Sequence, residues 1–178
     1  MIDALKPLTD CVFPRLTRDE ILEAHAYHES ITQHWTPNKK YSDLLAIVYR
    51  RLGEEWGVKV TWEECQAYGL SVRQWPAFKD SRTALRYLRH YYKIVVLTNT
   101  DNTSFQGSNA RLGVHFDGVF TAEDVGSYKP SDRNFEYMLE TLRRQGIVKS
   151  DILHIAESMF HDHACLLYTS PSPRDSRK

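Results

Sequence analysis

The sequence lacks a net charge, a long apolar run and a patterned set of cysteines. Its 23 Lys and Arg residues balance 23 Asp and Glu residues, and no basic stripe stands out, so a nucleic-acid partner has no electrostatic support. No apolar run approaches the length of a membrane span, and the amino terminus lacks the charged start and apolar core of a signal peptide. We therefore expect a cytoplasmic protein that acts on a small-molecule substrate.

The spacing of the cysteines and the absence of phosphate-loop motifs argue against several further classes of site. Cys11, Cys65 and Cys165 have neither metal-ligand spacing nor an even number for a disulfide framework, which agrees with a reducing compartment. The sequence has no Gly-x-Gly-x-x-Gly or Walker-type loop, and no Ser or Cys nucleophile with a partnered base can be assigned. Hydrophobic residues make up 42% of the chain, which is typical of a soluble globular domain with an insertion.

The first part of the chain has the pattern of a helical bundle. Thr17 to Glu20 and Thr61 to Glu64 both have the Ser/Thr-x-x-Glu form of a capping box, and each predicts the start of a helix. Apolar residues at helical spacing predict another helix between them, from about Tyr41 to Trp56. Successive helices before any strand indicate a separate helical cap region, residues 1–78.

After this region, predicted helices and strands alternate. Asp80 is the expected N-cap of a helix that runs to Tyr92, and the apolar run Lys93–Leu97 follows as a strand. The remaining predicted elements are a helix around Ser104–Leu112, a strand near Gly118–Thr121, a helix over Ser131–Arg144 and a strand at Ile152–Ala156. This alternation predicts an α/β fold with a parallel, Rossmann-like sheet over residues 79–164.

Three segments of this second part carry polar residues where a parallel sheet binds ligands. KIVVLTNT ends a strand with Thr98 and Asn99, which can donate hydrogen bonds to an anionic substrate group. GSYKP places Lys129 just before a helix, and Pro130 can serve as an early helical position. ILHIAESMFHD follows its strand with Glu157 and Asp162, two carboxylates that could hold Mg²⁺. Because ligands bind outside the carboxyl ends of parallel strands, we expect these tips to converge on one crevice.

Thr98, Asn99, Lys129 and Asp162 also have structural interpretations. Thr98 and Asn99 match ordinary turn chemistry after a strand. Lys129 matches a solvated loop lysine, and Asp162 could instead orient Lys129 or cap the next helix.

The histidines are not expected to bind a metal. His161 and His163 flank Asp162, but adjacent alternating positions rarely converge on one ion without further ligands. His25 and His28 are spaced for one helical face, where the polarity of the helix predicts a solvated pair.

In their order, the segments LTNTD, TAEDVGSYKP and LHIAESMFHDH resemble the second, third and fourth motifs of the haloacid dehalogenase (HAD) superfamily. With the WPAFKDS stretch before them, they are most similar to the haloacid dehalogenase type II branch. The resemblance implies a Rossmann-like core with an inserted helical cap, and hydrolysis through a covalent aspartyl ester. It assigns substrate binding to Thr98 and Asn99 and catalytic roles to Lys129 and Asp162. In a phosphatase-like member, Glu157 and Asp162 would bind magnesium.

The resemblance leaves the substrate class open. Phosphatases of the superfamily usually show Gly-Asp where this chain has Ala156-Glu157, and 2-haloacid dehalogenases usually show Ser-Ser-Asn-x-x-Asp where it has ESMFHD. The first expectation is a hydrolase of a small 2-haloacid or related acid that needs no cofactor. The alternatives are a magnesium-dependent small-molecule phosphatase and an inactive fragment. A homodimer is a candidate assembly.

Both ends of the sequence are expected to depart from a complete family domain. The family's first motif is a strand that carries the nucleophilic aspartate, and no such strand precedes the helical region. We therefore expect the first core strand to be missing and the chain as written to be inactive. Residues 165–178, CLLYTSPSPRDSRK, closely resemble a translated sequencing adaptor and are expected to be a non-native tail.

Overall fold

The computed structural model describes residues 1–156, Ser158, His161 and Asp162. The chain forms two compact units, Met1–Gly126 and Ser127–Lys178. The first unit contains α1 (Ile2–Thr9), α2 (Arg18–Trp35), α3 (Tyr41–Glu55), α4 (Trp62–Ser71), α5 (Ser81–Leu88), β1 (Val95–Thr98), α6 (Asn102–Leu112), β2 (Gly118–Thr121) and α7 (Ala122–Val125). The second unit contains α8 (Asp132–Arg143). Within residues 1–156, no helix is long and apolar enough to cross a membrane.

The two predicted capping boxes are confirmed. At the start of α2, Thr17 Oγ1 accepts a hydrogen bond from the Glu20 amide at 3.3 Å, and the Glu20 carboxylate accepts one from the Thr17 amide at 2.7 Å. At the start of α4, Thr61 and Glu64 form the same reciprocal pair, with distances of 3.2 and 2.7 Å. Each box satisfies amide groups that have no partner within the first turn of the helix.

Helix α3 lies at the centre of the helical core. Its apolar face is fully buried and consists of Leu44, Leu45, Val48 and Leu52. Helix α4 approaches α3 closely at Gly69, where an added Cβ would lie 2.0 Å from the carbonyl oxygen of Ser42. Helix α3 thus packs its apolar face in a core shared with neighbouring helices, while the predicted helical cap region, residues 1–78, stays a prediction.

His25 and His28 of α2 are buried, so the prediction of a solvated pair is wrong. His25 Nε2 lies 2.9 Å from the Tyr68 hydroxyl, and its Nδ1 lies 3.5 Å from the Glu29 carboxylate. His28 Nε2 lies 2.5 Å from the Glu55 carboxylate. The reason is tertiary: Tyr68 belongs to α4 and Glu55 to α3, so both helices cover the face that the local polarity of α2 marks as exposed.

Strands β1 and β2 pair in parallel and are joined through α6. Their register runs from Val95 opposite Gly118 to Thr98 opposite Thr121. This strand–helix–strand unit confirms the predicted alternation in this part of the chain. Helix α5 ends at Leu88 rather than at the predicted Tyr92, because the amides of His90 and Tyr91 donate to the carbonyls of residues three positions back, as in a turn.

Ile152–Ala156 form no strand, in contrast to the prediction. Leu153 and Ile155 are 78% and 74% exposed, and they alternate with half-buried neighbours, as in an extended chain. An extended segment becomes a strand only when another strand accepts and donates its backbone hydrogen bonds. Among the described residues of the second unit no strand is present to pair with it.

Candidate functional site

Thr98 and Asn99 lie at the carboxyl end of β1, as predicted. The Thr98 hydroxyl lies 3.1 Å from the Thr100 hydroxyl and accepts a hydrogen bond from the Thr100 amide at 3.3 Å. The Thr100 carbonyl in turn accepts a hydrogen bond from the Ala122 amide at 3.2 Å, next to the end of β2. The turn that follows β1 is therefore held by its own hydroxyl groups and by the neighbouring strand.

Sequence reasoning missed a set of carboxylates beside this turn. Asp101 is the N-cap of α6 and accepts a hydrogen bond from the Ser104 amide at 2.7 Å. Glu123 in α7 accepts one from the Asn102 amide at 2.9 Å. An aspartate just before a predicted helix is an N-cap signal, which could have identified Asp101. No local pattern marks Glu123, because its partner lies on another helix.

In the second unit, Lys129 and Asp162 form an ion pair. Lys129 Nζ lies 2.5 Å from Asp162 Oδ1, and the two side chains are 11% and 9% exposed. The Lys129–Pro130 peptide bond is cis, and α8 begins at Asp132 with Ser131 as its N-cap, so Pro130 precedes the helix. The structure therefore shows the contact in which Asp162 orients Lys129, which was one of the sequence-based alternatives.

A short turn presents Asp162 to Lys129. The Asp162 amide donates to the Ser158 carbonyl at 3.1 Å, and the Ser158 hydroxyl accepts a hydrogen bond from the His161 amide at 3.1 Å. Burial lowers the pKa of His161, the charge of Lys129 lowers it further, and Asp162 opposes the shift. The neutral form of His161 is therefore favoured beside the ion pair.

The described residues supply one of the two carboxylates predicted to bind magnesium. Oδ1 of Asp162 already contacts the ammonium group of Lys129, and Glu157 lies outside the described residues. His163 and the predicted tail at residues 165–178 also lie outside them. Over the part of the chain that the structure describes, no three His, Cys, Asp or Glu side chains are grouped as metal ligands. The magnesium site stays a prediction that depends on Glu157.

The two halves of the predicted site belong to different units. Thr98 and Asn99 lie in Met1–Gly126, whereas Lys129 and Asp162 lie in the second unit. The structure brings Lys129 and Asp162 together. The convergence of both pairs on one crevice stays a prediction.

Solved structures that share the fold include L-2-haloacid dehalogenases and another HAD-type protein. The L-2-haloacid dehalogenase PA0810 matches with a TM-score of 0.64 at 16% identity, covering 80% of this chain and 63% of its own. The L-2-haloacid dehalogenase of Xanthobacter autotrophicus matches with a TM-score of 0.65 at 15% identity, covering 84% of this chain and 60% of its own. The HAD-hydrolase YfnB of Bacillus subtilis matches with a TM-score of 0.59 at 16% identity, covering 78% and 65%. At such identity these likenesses show the fold alone.

The chain thus spans less than two thirds of each of these three structures. They confirm the predicted fold class, an α/β HAD core with a helical cap. No curated protein matches the sequence. The family model of the haloacid dehalogenase-like hydrolases matches residues 15–156. The chain therefore belongs to the haloacid dehalogenase-like hydrolase family.

Proposed function

We propose that the protein acts as a hydrolase on a small 2-haloacid or a related acid, through an aspartyl ester intermediate. In the first step a carboxylate oxygen attacks the carbon that bears the halogen, so that a C–O bond forms, the C–X bond breaks and halide leaves. In the second step water attacks the ester carbonyl, which releases the 2-hydroxy acid and a proton and restores the carboxylate. We expect the nucleophilic aspartate on a strand that precedes this sequence.

The single observation that carries the proposal is the buried ion pair of Lys129 and Asp162. Their atoms lie 2.5 Å apart with both side chains largely shielded from water. Removing two charges from water is costly, and such a pair adds little net stability, which favours a functional reason for keeping it. An ammonium group held in this way can offset the charge of a nearby carboxylate nucleophile and of an anionic substrate.

Thr98 and Asn99 are proposed to bind the carboxylate of the substrate. The turn that carries them is fixed by the hydrogen bonds of Thr100, so its donors need little reorganisation when an anion binds. The Xanthobacter autotrophicus neighbour is described with chloropropionic acid covalently bound, and a covalent intermediate is what the proposal requires. YfnB is described as bound to magnesium, which makes the magnesium-dependent phosphatase the rival reaction to exclude.

The test supplies the missing strand and measures both reactions in the extended protein. Chloride release from 2-chloropropionate and phosphate release from a panel of phosphate esters are assayed with and without EDTA. We expect chloride release that does not respond to EDTA. Phosphate release that EDTA abolishes, with no chloride release, would refute the dehalogenase proposal in favour of the phosphatase.

Variants of the ion pair test the role of Lys129. In the extended protein we expect Lys129→Met to lower kcat roughly a hundredfold, the usual scale for losing a group that stabilises developing charge. Lys149→Met is the matched control, because Lys149 is an exposed lysine of the same unit. The 178-residue chain itself is expected to show negligible turnover, and measurable turnover by it would contradict the proposal that its nucleophile lies outside this sequence.

A further inference from the structure

Asp101 connects two helices that are distant in sequence. Its side chain is buried, and Oδ1 accepts a hydrogen bond from the Ser104 amide at 2.7 Å. Oδ2 accepts one from the Ser104 hydroxyl at 2.9 Å and another from the Ser42 amide at 2.8 Å. Asp101 therefore caps α6 directly and binds the first turn of α3 at the same time.

The first turn of α3 depends on this distant carboxylate. The residue at the N-cap position of α3, Lys40, makes no side-chain capping bond. Asp101 supplies an acceptor to an amide group of that turn, which would otherwise lack a partner inside the helix. Burial raises the pKa of Asp101, but the hydrogen bonds from Ser104 and Ser42 outweigh it and hold the pKa below the ordinary value. The carboxylate is therefore ionised near neutral pH and faces the positive ends of two helix dipoles.

A second carboxylate, that of Glu123, also links the amino ends of α3 and α6. Glu123 forms an ion pair with Lys40 at 2.9 Å and accepts a hydrogen bond from the Asn102 amide at 2.9 Å. Asn102 also accepts a hydrogen bond from the Thr121 hydroxyl at 2.9 Å. The amino ends of α3 and α6 are thus joined to each other and to the end of β2.

This junction lies directly beside the proposed substrate-binding turn. Thr98 pairs with Thr121 in the sheet, and Asp101 is the third residue after Thr98. The turn from Thr98 to Asp101 is therefore fixed at one end by the sheet and at the other by α3. Asn99 lies between these two fixed points.

We propose that Asp101 is a positioning residue for substrate binding, which holds the Thr98–Asn99 turn against the amino end of α3 so that its donors are preorganised for an anion. The proposal rests on the proposed role of Thr98 and Asn99. It adds that the helical region takes part in substrate affinity through a buried carboxylate that need not touch the substrate.

One substitution separates positioning from simple helix capping. Asparagine is as good an N-cap as aspartate, so in Asp101→Asn the side-chain oxygen can still accept from the Ser104 amide. Its amide group would then face the Ser42 amide, donor against donor, and the bridge to α3 would be lost. Asp101→Ala removes both contacts. Asp43→Asn is the matched control, because Asp43 is an exposed acidic residue in the first turn of the same helix.

The experiment measures motion and binding by NMR on the 178-residue chain. In Asp101→Asn we expect the backbone order parameter of Asn99 to fall from the rigid range, about 0.85, to below about 0.6. We expect 2-chloropropionate, followed by the Asn99 amide shift, to bind about tenfold more weakly, the scale for losing a hydrogen bond to a charged group. The order parameter of the Ser104 amide should not change in Asp101→Asn. The Asp43→Asn variant should match the wild type in both the Asn99 order parameter and the affinity.

Two results would overturn the proposal. In the first, Asp101→Asn and Asp101→Ala leave the Asn99 order parameter and the affinity for 2-chloropropionate unchanged, while the Ser42 amide loses its protection from hydrogen exchange. Asp101 would then be a helix cap only. If the wild type binds neither 2-chloropropionate nor inorganic phosphate at this turn, both proposals fail. Binding of phosphate alone would count against the haloacid substrate, and the same variants would then test Asp101 with phosphate as the probe.

Discussion

Replacing His25 with glutamine should change the pH dependence of folding stability. His25 lies between α2 and α4, with Nε2 2.9 Å from the Tyr68 hydroxyl. Burial lowers the pKa of His25 to about 4 from an ordinary 6.5, and the positive charges of the amino terminus and His28 act in the same direction. The folded protein therefore keeps this imidazole neutral over a range in which the unfolded chain is protonated.

The sign and size of the effect follow from this difference. Below pH 6.5 His25 binds a proton in the unfolded state but stays neutral in the folded state. The free energy of unfolding therefore falls as the pH falls. The loss is about 1.4 kcal/mol for each pH unit and reaches about 3 kcal/mol near pH 4. Above pH 6.5 the histidine is neutral in both states, and this contribution to stability is fully present.

Glu29 titrates in the opposite sense and must be separated from His25. Burial raises the pKa of Glu29, and the hydrogen bond from the Tyr41 hydroxyl at 2.8 Å only partly opposes this. The folded state therefore takes up that proton before the unfolded state does, which stabilises the fold as the pH falls. The wild-type curve contains both effects, whereas the difference between the wild type and His25→Gln contains the histidine and any change that its loss causes in Glu29, 3.5 Å away.

The assay is urea unfolding, followed by circular dichroism at intervals between pH 4.5 and 7.5. We expect the free energies of unfolding of the wild type and His25→Gln to converge as the pH falls, since the variant has no group to protonate. His34→Gln is the control, because His34 is an exposed histidine of the same helix. Parallel curves for the wild type and His25→Gln would refute the reasoning.

Two further predictions concern the packing of α3. Leu44→Ala should lower the free energy of unfolding by about 2–5 kcal/mol, because Leu44 is fully buried, whereas Leu70→Ala at a half-exposed site should cost much less. Urea midpoints of the two variants check this, and equal losses would contradict the observed core. Gly69→Ala should destabilise by about 1–3 kcal/mol or more, because its Cβ would meet the Ser42 carbonyl and force α4 away from α3. Gly146→Ala is the comparison, because a Cβ at Gly146 meets nothing within 4 Å and the only strain comes from its φ of +81°. Thermal unfolding of both variants checks the prediction, and a larger loss in Gly146→Ala would contradict it.

Features encoded in a few neighbouring residues could be predicted from the sequence. The capping boxes at Thr17 and Thr61 depend on contacts three residues apart, and both helices begin where the pattern places them. The strand–helix–strand unit was likewise visible, because apolar runs and helical spacing mark it directly. The family resemblance then singled out Lys129 and Asp162, whose contact across a separation of 33 residues no local pattern would have indicated, while their catalytic roles stay a proposal.

Features set by distant contacts could not be predicted in this way. The burial of His25 depends on Tyr68, which lies 43 residues further along the chain. The hydrogen bond from the Ser42 amide to Asp101 spans 59 residues. The local N-cap signal therefore predicts the contact with the Ser104 amide but not this one. The prediction of a strand at Ile152–Ala156 was wrong because the apolar character of a segment does not show whether another strand pairs with it.

The shielding of the Lys129–Asp162 pair also determines how it responds to ionic strength. Exposed pairs on the helices, such as Lys6 with Asp3 and Arg144 with Glu140, are surrounded by mobile ions, and a Debye length of about 8 Å at physiological salt weakens them. The side chains of Lys129 and Asp162 are only about one tenth exposed, so mobile ions screen this pair much less. The attraction between its two charges should therefore change little across the salt concentrations of a living cell, whereas that of the exposed pairs weakens.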